Sequence, residues 1–449
     1  MGAEVVELVT RFIEDRYTAP TSDYTDLQPM LDSLSQPPPD GPGSLTDLLG
    51  TIEGAAKKGF DTASPGFVGY IPGGGLYASA LADFVACVTN RYTGVALPAP
   101  AYVQMEASVL RWLCELFGLP DTSQGVLTPG GSMSNLGAIV TARTAMLGEQ
   151  FTDGTMYVSD EVHHSLTKAA RIAGLRKDSV RVVASDDALR MDLDSLRKAI
   201  ASDRARGLKP FMVVGSAGTI NTGAIDPLEE IANLTAEERL WFHIDGAYGG
   251  FFQLTERGRE RLRGIERADS ITLDPHKGLF LPYGTGCLLV RDAETLRRAH
   301  ELEAHYLPRA SDDPGLPDFS SFSPELTRDF RGLRLWLPLH LHGVNAFVEA
   351  LDEKLNLAAL VYEELSGVPE LNVPWRPELS LVAFRPSNGA LSAEELLDRI
   401  NASERMWLSS APIRGETFIR ICILSHRSHP ERIREGIEII RSVMTAKLD

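Results

Sequence analysis

Between about residue 77 and residue 347, short apolar runs rich in β-branched residues alternate with longer stretches whose apolar positions return every three or four residues. The runs are Met156-Tyr157-Val158, Val180 to Val183, Phe211 to Val214, Trp241 to Ile244, Ser270 to Leu273 and Cys287 to Val290. Continuous apolar runs of this length suit strands covered on both faces, and the helical period between them suits the covering helices. The alternation predicts an α/β domain over 77–347 built on a mostly parallel sheet, and ligands of such sheets bind beyond the carboxyl ends of the strands. After Phe347 the pattern changes to long helices with short strands at Leu379 to Phe384 and Phe418 to Ile423. This predicts a smaller α+β C-terminal domain over 348–449. Residues 1–76 form a helical arm. Val5, Val6, Leu8, Val9, Phe12 and Ile13 recur at helical spacing, Gln36 to Gly43 is a proline-rich linker, and Ser44 is placed to cap a second helix.

Two of the predicted strand ends carry groups of special chemistry. Ser270 to Leu273 runs into Asp274-Pro275-His276-Lys277, and Trp241 to Ile244 runs into Asp245. A lysine and an aspartate at neighbouring strand ends suit pyridoxal 5′-phosphate (PLP). The amine forms a Schiff base with the aldehyde, and the carboxylate pairs with the pyridinium nitrogen. Burial of Lys277 in an apolar pocket is expected to lower its pKa. A third segment, Gly125 to Asn135, passes from an apolar stretch through Gly130 and Gly131 into a helical pattern. Glycines let the backbone approach an anion, and the free N–H groups of a helix start complete the cradle. The spacing is neither GxxxxGK[ST] nor GxGxxG, which sets nucleoside triphosphates and dinucleotides aside.

At these residues the chain resembles the group II PLP-dependent amino acid decarboxylases, the family of aromatic amino acid and glutamate decarboxylases. The resemblance runs from about Pro65 to about Arg427. It is carried by Ser64 to Tyr70, Pro100 to Glu106, Gly130 to Asn135, Ser159 to Ser165, Gly218 to Pro227, His243 to Gly249, Asp274 to Lys277, Arg328 to Trp336 and Arg420 to Arg427. It implies fold type I, the aspartate aminotransferase-like fold. It also implies a homodimer with shared active sites, in which the N-terminal arm packs on the partner. It places Lys277 as the Schiff-base lysine, Asp245 at the ring nitrogen and Ala247 under the ring. His163 matches the histidine stacked on the other ring face, and His276 lies near the phosphate or substrate. Gly131, Ser132, Met133 and Ser134 serve the phosphate, and Ser216 and Thr219 the phenolic oxygen. Asp274 stands where the family often has asparagine, an unfavourable neighbour for a phosphate. Tyr70, Pro72, Gly94 and Arg420 match substrate-binding segments.

The activity implied is decarboxylation of an L-amino acid, or a derived intermediate, to the amine and CO₂. One position departs from the pattern. Amine-forming members carry a tyrosine on a mobile loop as proton donor, and an ungapped count from Arg328 places Phe319 there. Phenylalanine has no proton to give, which leaves Tyr306, His163 or water to protonate carbon. The alternative is oxidative deamination to an aldehyde and ammonia, and an aminotransferase is a third reading. Gly94 to Pro98, where aromatic-specific relatives carry bulky rings, suggests a roomier pocket or a bulkier, non-aromatic substrate. No second basic group dedicated to a side-chain carboxylate is legible.

Composition narrows the remainder. A net charge of −17, with no polybasic run, argues against nucleic acid as a partner. Cys87, Cys114, Cys287 and Cys422 lack CxxC spacing and read as buried free thiols, not disulfides or metal ligands. No apolar segment long enough to span a membrane and no signal peptide are legible, so a cytoplasmic protein without metal is expected.

Overall fold

The computed structural model describes residues 1–301, 316–387 and 391–445. Two short strands, β1 (Ser22–Asp23) and β2 (Gly59–Phe60), pair antiparallel in the N-terminal arm. The main sheet comprises β3 (Gln124–Thr128), β4 (Gly154–Ser159), β5 (Val180–Val183), β6 (Lys209–Ser216), β7 (Trp241–Gly246), β8 (Ser270–Leu273) and β9 (Gly286–Val290), in the order β3-β9-β8-β7-β6-β4-β5. β4 to β8 are parallel, and β9 runs antiparallel to both of its neighbours. Every residue of β4, β7, β8 and β9 is buried, which is why these strands read as apolar runs and not as alternating patterns. All six predicted runs lie in strands. The reversed direction of β9 has no sequence mark, because a strand covered on both faces has the same pattern either way.

The C-terminal sheet is antiparallel, with β10 (Leu371–Asn372), β11 (Leu381–Pro386), β12 (Ser409–Ile413) and β13 (Glu416–Cys422) in the order β10-β11-β13-β12. The helix Val344–Ser366 is shared by two cores. Phe347, Leu351 and Leu355 pack into the large core; Leu357, Ala358, Val361 and Leu365 pack into the small one. The passage between cores thus falls inside one helix, beyond position 347. In the arm, the helix Gly2–Asp15 buries none of its residues. Ser44 caps the helix Leu45–Ala56 by accepting the Asp47 N–H at 3.4 Å. Three cysteines are buried as expected, but Cys87 is exposed, and all four are free thiols.

A charged pair fastens the segment before the helix Gly332–His342 to the large core. Arg328 donates to Glu106 on the helix Pro100–Leu116 at 2.6 Å, with both side chains fully buried. Burial pushes the Glu106 carboxyl up, and the Arg328 charge pulls it back only in part. Removing one partner leaves the other charge buried and uncompensated. Arg328→Leu is therefore expected to destabilise the fold by about 3–5 kcal/mol. Urea unfolding checks this; a loss below about 1 kcal/mol, the range of an exposed pair, would refute it.

Candidate active site

The carboxyl ends of β3, β4, β6, β7 and β8 share one edge of the main sheet, and a cavity of about 400 Å³ opens there. That volume lies in the usual range of small-molecule sites. Its wall includes Gly131, Ser132 and Met133 after β3, His163 after β4, Ser216 and Thr219 from the end of β6, Asp245 and Ala247 from β7, and Asp274, His276 and Lys277 after β8.

Each group is positioned by simple local rules. Pro275 cannot donate to a ladder, so β8 ends and its fixed φ starts the single turn Pro275–Gly278. This turn sets Lys277 three residues from Asp274, and Lys277 Nζ donates to Asp274 Oδ2 at 2.9 Å. In the ladder Asp245 pairs with Ser216 of β6 and Thr272 of β8. Its Oδ1 accepts the Ala247 N–H and its Oδ2 accepts Asn135 Nδ2, each at 3.1 Å. The helix Gly131–Leu147 begins at the cavity without a side-chain cap, so the Gly131 and Ser132 N–H groups are orphan donors, while the Met133 N–H donates to the Gly130 carbonyl at 2.9 Å. A Cβ at Gly131 would come within 3.0 Å of Asp274 Oδ2 and 3.3 Å of Ala247 Cβ, so a larger residue would push these walls back by a few tenths of an ångström.

His163 is half-buried. Its Nδ1 accepts the Ser165 backbone N–H at 3.2 Å, which leaves the proton of the neutral ring on Nε2. Burial lowers its pKa against the pull of Asp245. His276 is the opposite tautomer, because its Nδ1 faces the Thr285 carbonyl at 2.8 Å and must donate. Burial lowers its pKa as well.

Lys277 departs from expectation. Burial does pull its ammonium down, but the Asp274 charge and hydrogen bond outweigh burial and hold it above the ordinary lysine value. Only the free amine attacks an aldehyde. Asp274→Asn removes the largest raising charge, and burial is then opposed mainly by the weaker pull of Asp245. The pH midpoint for attachment of PLP to the apoprotein is then expected to fall, with faster attachment at neutral pH. Stopped-flow absorbance checks this, and an unchanged or higher midpoint would exclude Asp274 as the controlling charge.

Some expected residues are not brought to the cavity. Ser134 is fully buried, and its hydroxyl lies 2.7 Å from Thr128 Oγ1 in the floor of the turn. Tyr70 has a left-handed backbone (φ 51°) that turns its ring outward onto Phe60, Phe67 and Trp407. Pro72 is buried away from the lining, and Ile71, between them, reaches it. Arg420 commits its guanidinium to the Ile220 and Asn221 carbonyls and to Ser409 Oγ, behind the wall formed by Ile220. Gly94 and Phe319 meet each other's segments instead. Ser320 N–H donates to the Gly94 carbonyl at 2.8 Å, and the Phe319 ring is fully buried with the Arg328 guanidinium 4.9 Å above it. An apolar ring in that setting is core packing. Tyr306 lies outside the described residues. Asn135 and Ser165 line the cavity and were missed. Asn135 is four residues after Gly131, one turn into the same helix face, a spacing that could have found it.

The donor set fits PLP. A helix start and a lysine line one cavity, a hydrogen-bonded carboxylate sits at a neighbouring strand end, and the small Ala247 leaves room for a flat ring. Comparison with known proteins agrees. The family model for the pyridoxal-dependent decarboxylase conserved domain matches residues 28–387. An aromatic-L-amino-acid decarboxylase of Bacillus atrophaeus is 31% identical, with 99% of this chain and 94% of that protein covered. The Cavia porcellus aromatic-L-amino-acid decarboxylase is 29% identical over 100% of this chain and 97% of its own. Among solved structures, Oryza sativa TDC with PLP and tryptamine superposes with a TM-score of 0.93 at 25% identity, covering 99% of this chain and 96% of that one.

Proposed function

The chain belongs to the pyridoxal-dependent decarboxylase family and is a PLP-dependent carboxy-lyase, and from that premise we propose that it converts an L-amino acid with an uncharged aromatic or apolar side chain into the amine and CO₂. One observation carries the reading: among the described residues, Lys277 is the single lysine or arginine in the cavity lining, which it shares with Asp245 and the glycine-opened helix start. A substrate side-chain carboxylate would have no cation to pair with, and an unpaired buried charge is costly. Ile71, Met133 and Ile220 supply apolar wall instead. The aromatic substrates named for the relatives support the same class. Gly94, whose segment suggests a roomier pocket or a bulkier, non-aromatic substrate, does not line this cavity.

When bound, PLP supplies an aldehyde for covalent capture of the substrate amine and a ring that accepts the electrons of the breaking Cα–carboxylate bond. The residues have the following proposed roles. Lys277 holds the cofactor covalently until the substrate amine replaces it, and then keeps an amine in the cavity. Asp245, its carboxylate fixed by two N–H donors, holds positive charge on the ring nitrogen. Gly131 and Ser132 bind the phosphate through the free N–H groups of the helix start, beside Met133, whose N–H donates to Gly130. His163 bounds one face and carries a proton on Nε2, available for delivery to carbon after CO₂ departs. The buried Phe319 can play no such part. We further propose a homodimer, on the resemblance, and a cytoplasmic location, in keeping with four free cysteines. Among the described residues no helix is long and apolar enough to cross a membrane.

A panel of L-amino acids with mass-spectrometric products tests the reading. The expected result is amine and CO₂ in equal amounts from an aromatic or apolar substrate. Peroxide and ammonia in step with CO₂ would establish the aldehyde-forming alternative, and a keto acid requiring an amino acceptor would establish transamination.

A further inference from the structure

Behind Asp245 the structure holds a buried hydrogen-bond chain. Trp241 Nε1 donates to Ser270 Oγ at 2.8 Å, and Ser270 Oγ lies 2.8 Å from His243 Nδ1. His243 Nε2 lies 3.1 Å from Asn135 Oδ1. The Asn135 amide nitrogen reaches Asp245 Oδ2 at 3.1 Å and Ser165 Oγ at 3.2 Å. Ser165 Oγ in turn lies 2.7 Å from His163 Nδ1. Asn135, His243 and Ser270 are all at most 1% exposed, so water does not complete these bonds.

The direction of the chain follows from its two ends. The indole N–H can only donate, and an ionised carboxylate can only accept. Asn135 must therefore turn its NH₂ toward Asp245 and its oxygen toward His243. His243 must answer with an N–H on Nε2, which leaves Nδ1 to accept the Ser270 hydroxyl. Turning the amide over would set its oxygen against the Asp245 carboxylate and its NH₂ against the ring's donor. Thr272 Oγ1, 3.5 Å from His243 Nε2, is a longer contact on the same edge. Burial lowers the His243 pKa to about 4, in keeping with a ring that stays neutral.

We infer that Asn135 is the positioning residue of this site: one side-chain amide, locked by neutral His243, that holds the Asp245 carboxylate with one N–H and, through Ser165, the His163 ring with the other. Through this amide the ring-nitrogen partner and the residue on the opposite cofactor face share a support. The inference rests on the proposed role of Asp245. It assigns no direct contact with substrate to Asn135 or His243.

The test begins with apoprotein labelled with ¹⁵N-histidine, which carries ten histidines, with His243 assigned by comparison with His243→Gln. The expected signals are those of a neutral Nε2–H tautomer that does not titrate down to pH 5. An Nδ1–H tautomer, or titration near the ordinary histidine value, would overturn the chain. In the holoenzyme, Asn135→Leu and Asn135→Asp are each expected to weaken PLP retention on the order of tenfold and to shift the pH dependence of the cofactor absorbance band. His243→Leu should share this defect. His243→Gln, which can still present an N–H to Asn135, should recover most of it, whereas a merely space-filling histidine would give equal defects in both. Unchanged retention and spectrum in Asn135→Leu would sink the inference. The apoprotein spectrum does not depend on turnover, so a failed substrate panel beside the expected tautomer would reject the proposed function and not the chain.

Discussion

Lys277→Ala is expected to lower the decarboxylation rate on the order of 10³-fold or more, as removal of a covalent catalytic group does. Borohydride should no longer fix PLP to the protein, because among the described residues no other lysine lines the cavity. The fold should survive, since Lys277 is partly exposed within the cavity and its one ion pair among the described residues is with Asp274. A variant that retained a borohydride-reducible absorbance band, or activity within about tenfold of the parent, would remove the lysine from the centre of the proposal. Asp274 would then need another explanation, since its Oδ1 is a buried oxygen with no hydrogen-bond partner among the described residues.

Asp245→Asn is the second large effect. The substitution keeps size and shape but removes the charge that would hold a proton on the ring nitrogen. It also sets an amide NH₂ against one of the two N–H donors, on Asn135 or Ala247, that now hold the carboxylate at 3.1 Å. Loss of one preorganised electrostatic group typically costs on the order of 10²–10³-fold in rate. The expected pattern is a fall in kcat with a smaller change in KM, because the charge is needed most as electrons enter the ring. A raised KM with kcat unchanged would point to a binding role alone. Asp245→Asn and Asn135→Leu should combine less than additively, since each disturbs the same hydrogen bond.

Much of this protein was legible in its chain. Buried parallel strands announce themselves as short apolar runs, and all six runs lie in the sheet. The rule that ligands bind beyond strand carboxyl ends then located Asp245 and Lys277 without coordinates. The glycine-to-helix junction at Gly130 and Gly131 followed from backbone chemistry, because only a small residue at a helix start leaves donors open to an anion.

The residues that failed share a cause. Whether a side chain enters a cavity depends on backbone angles and neighbouring elements, and a match of letters contains neither. Tyr70 is turned out by one left-handed residue, Ser134 faces the floor of its turn, and Phe319 is drawn into the core beneath Arg328. The raised pKa of Lys277 is a similar case. Its burial was foreseeable, but the competing charge of Asp274 takes effect only where the turn brings the two groups within 2.9 Å.

The sequence alone determined the layered α/β architecture and the kind of chemistry, because hydrophobic period and residue type are local properties of a chain. The tertiary structure decided which groups share the cavity, which way each hydrogen bond runs and how each charge is tuned. Those are properties of distances between strands and helices remote in sequence, and they exist only once the sheet has brought the strands together.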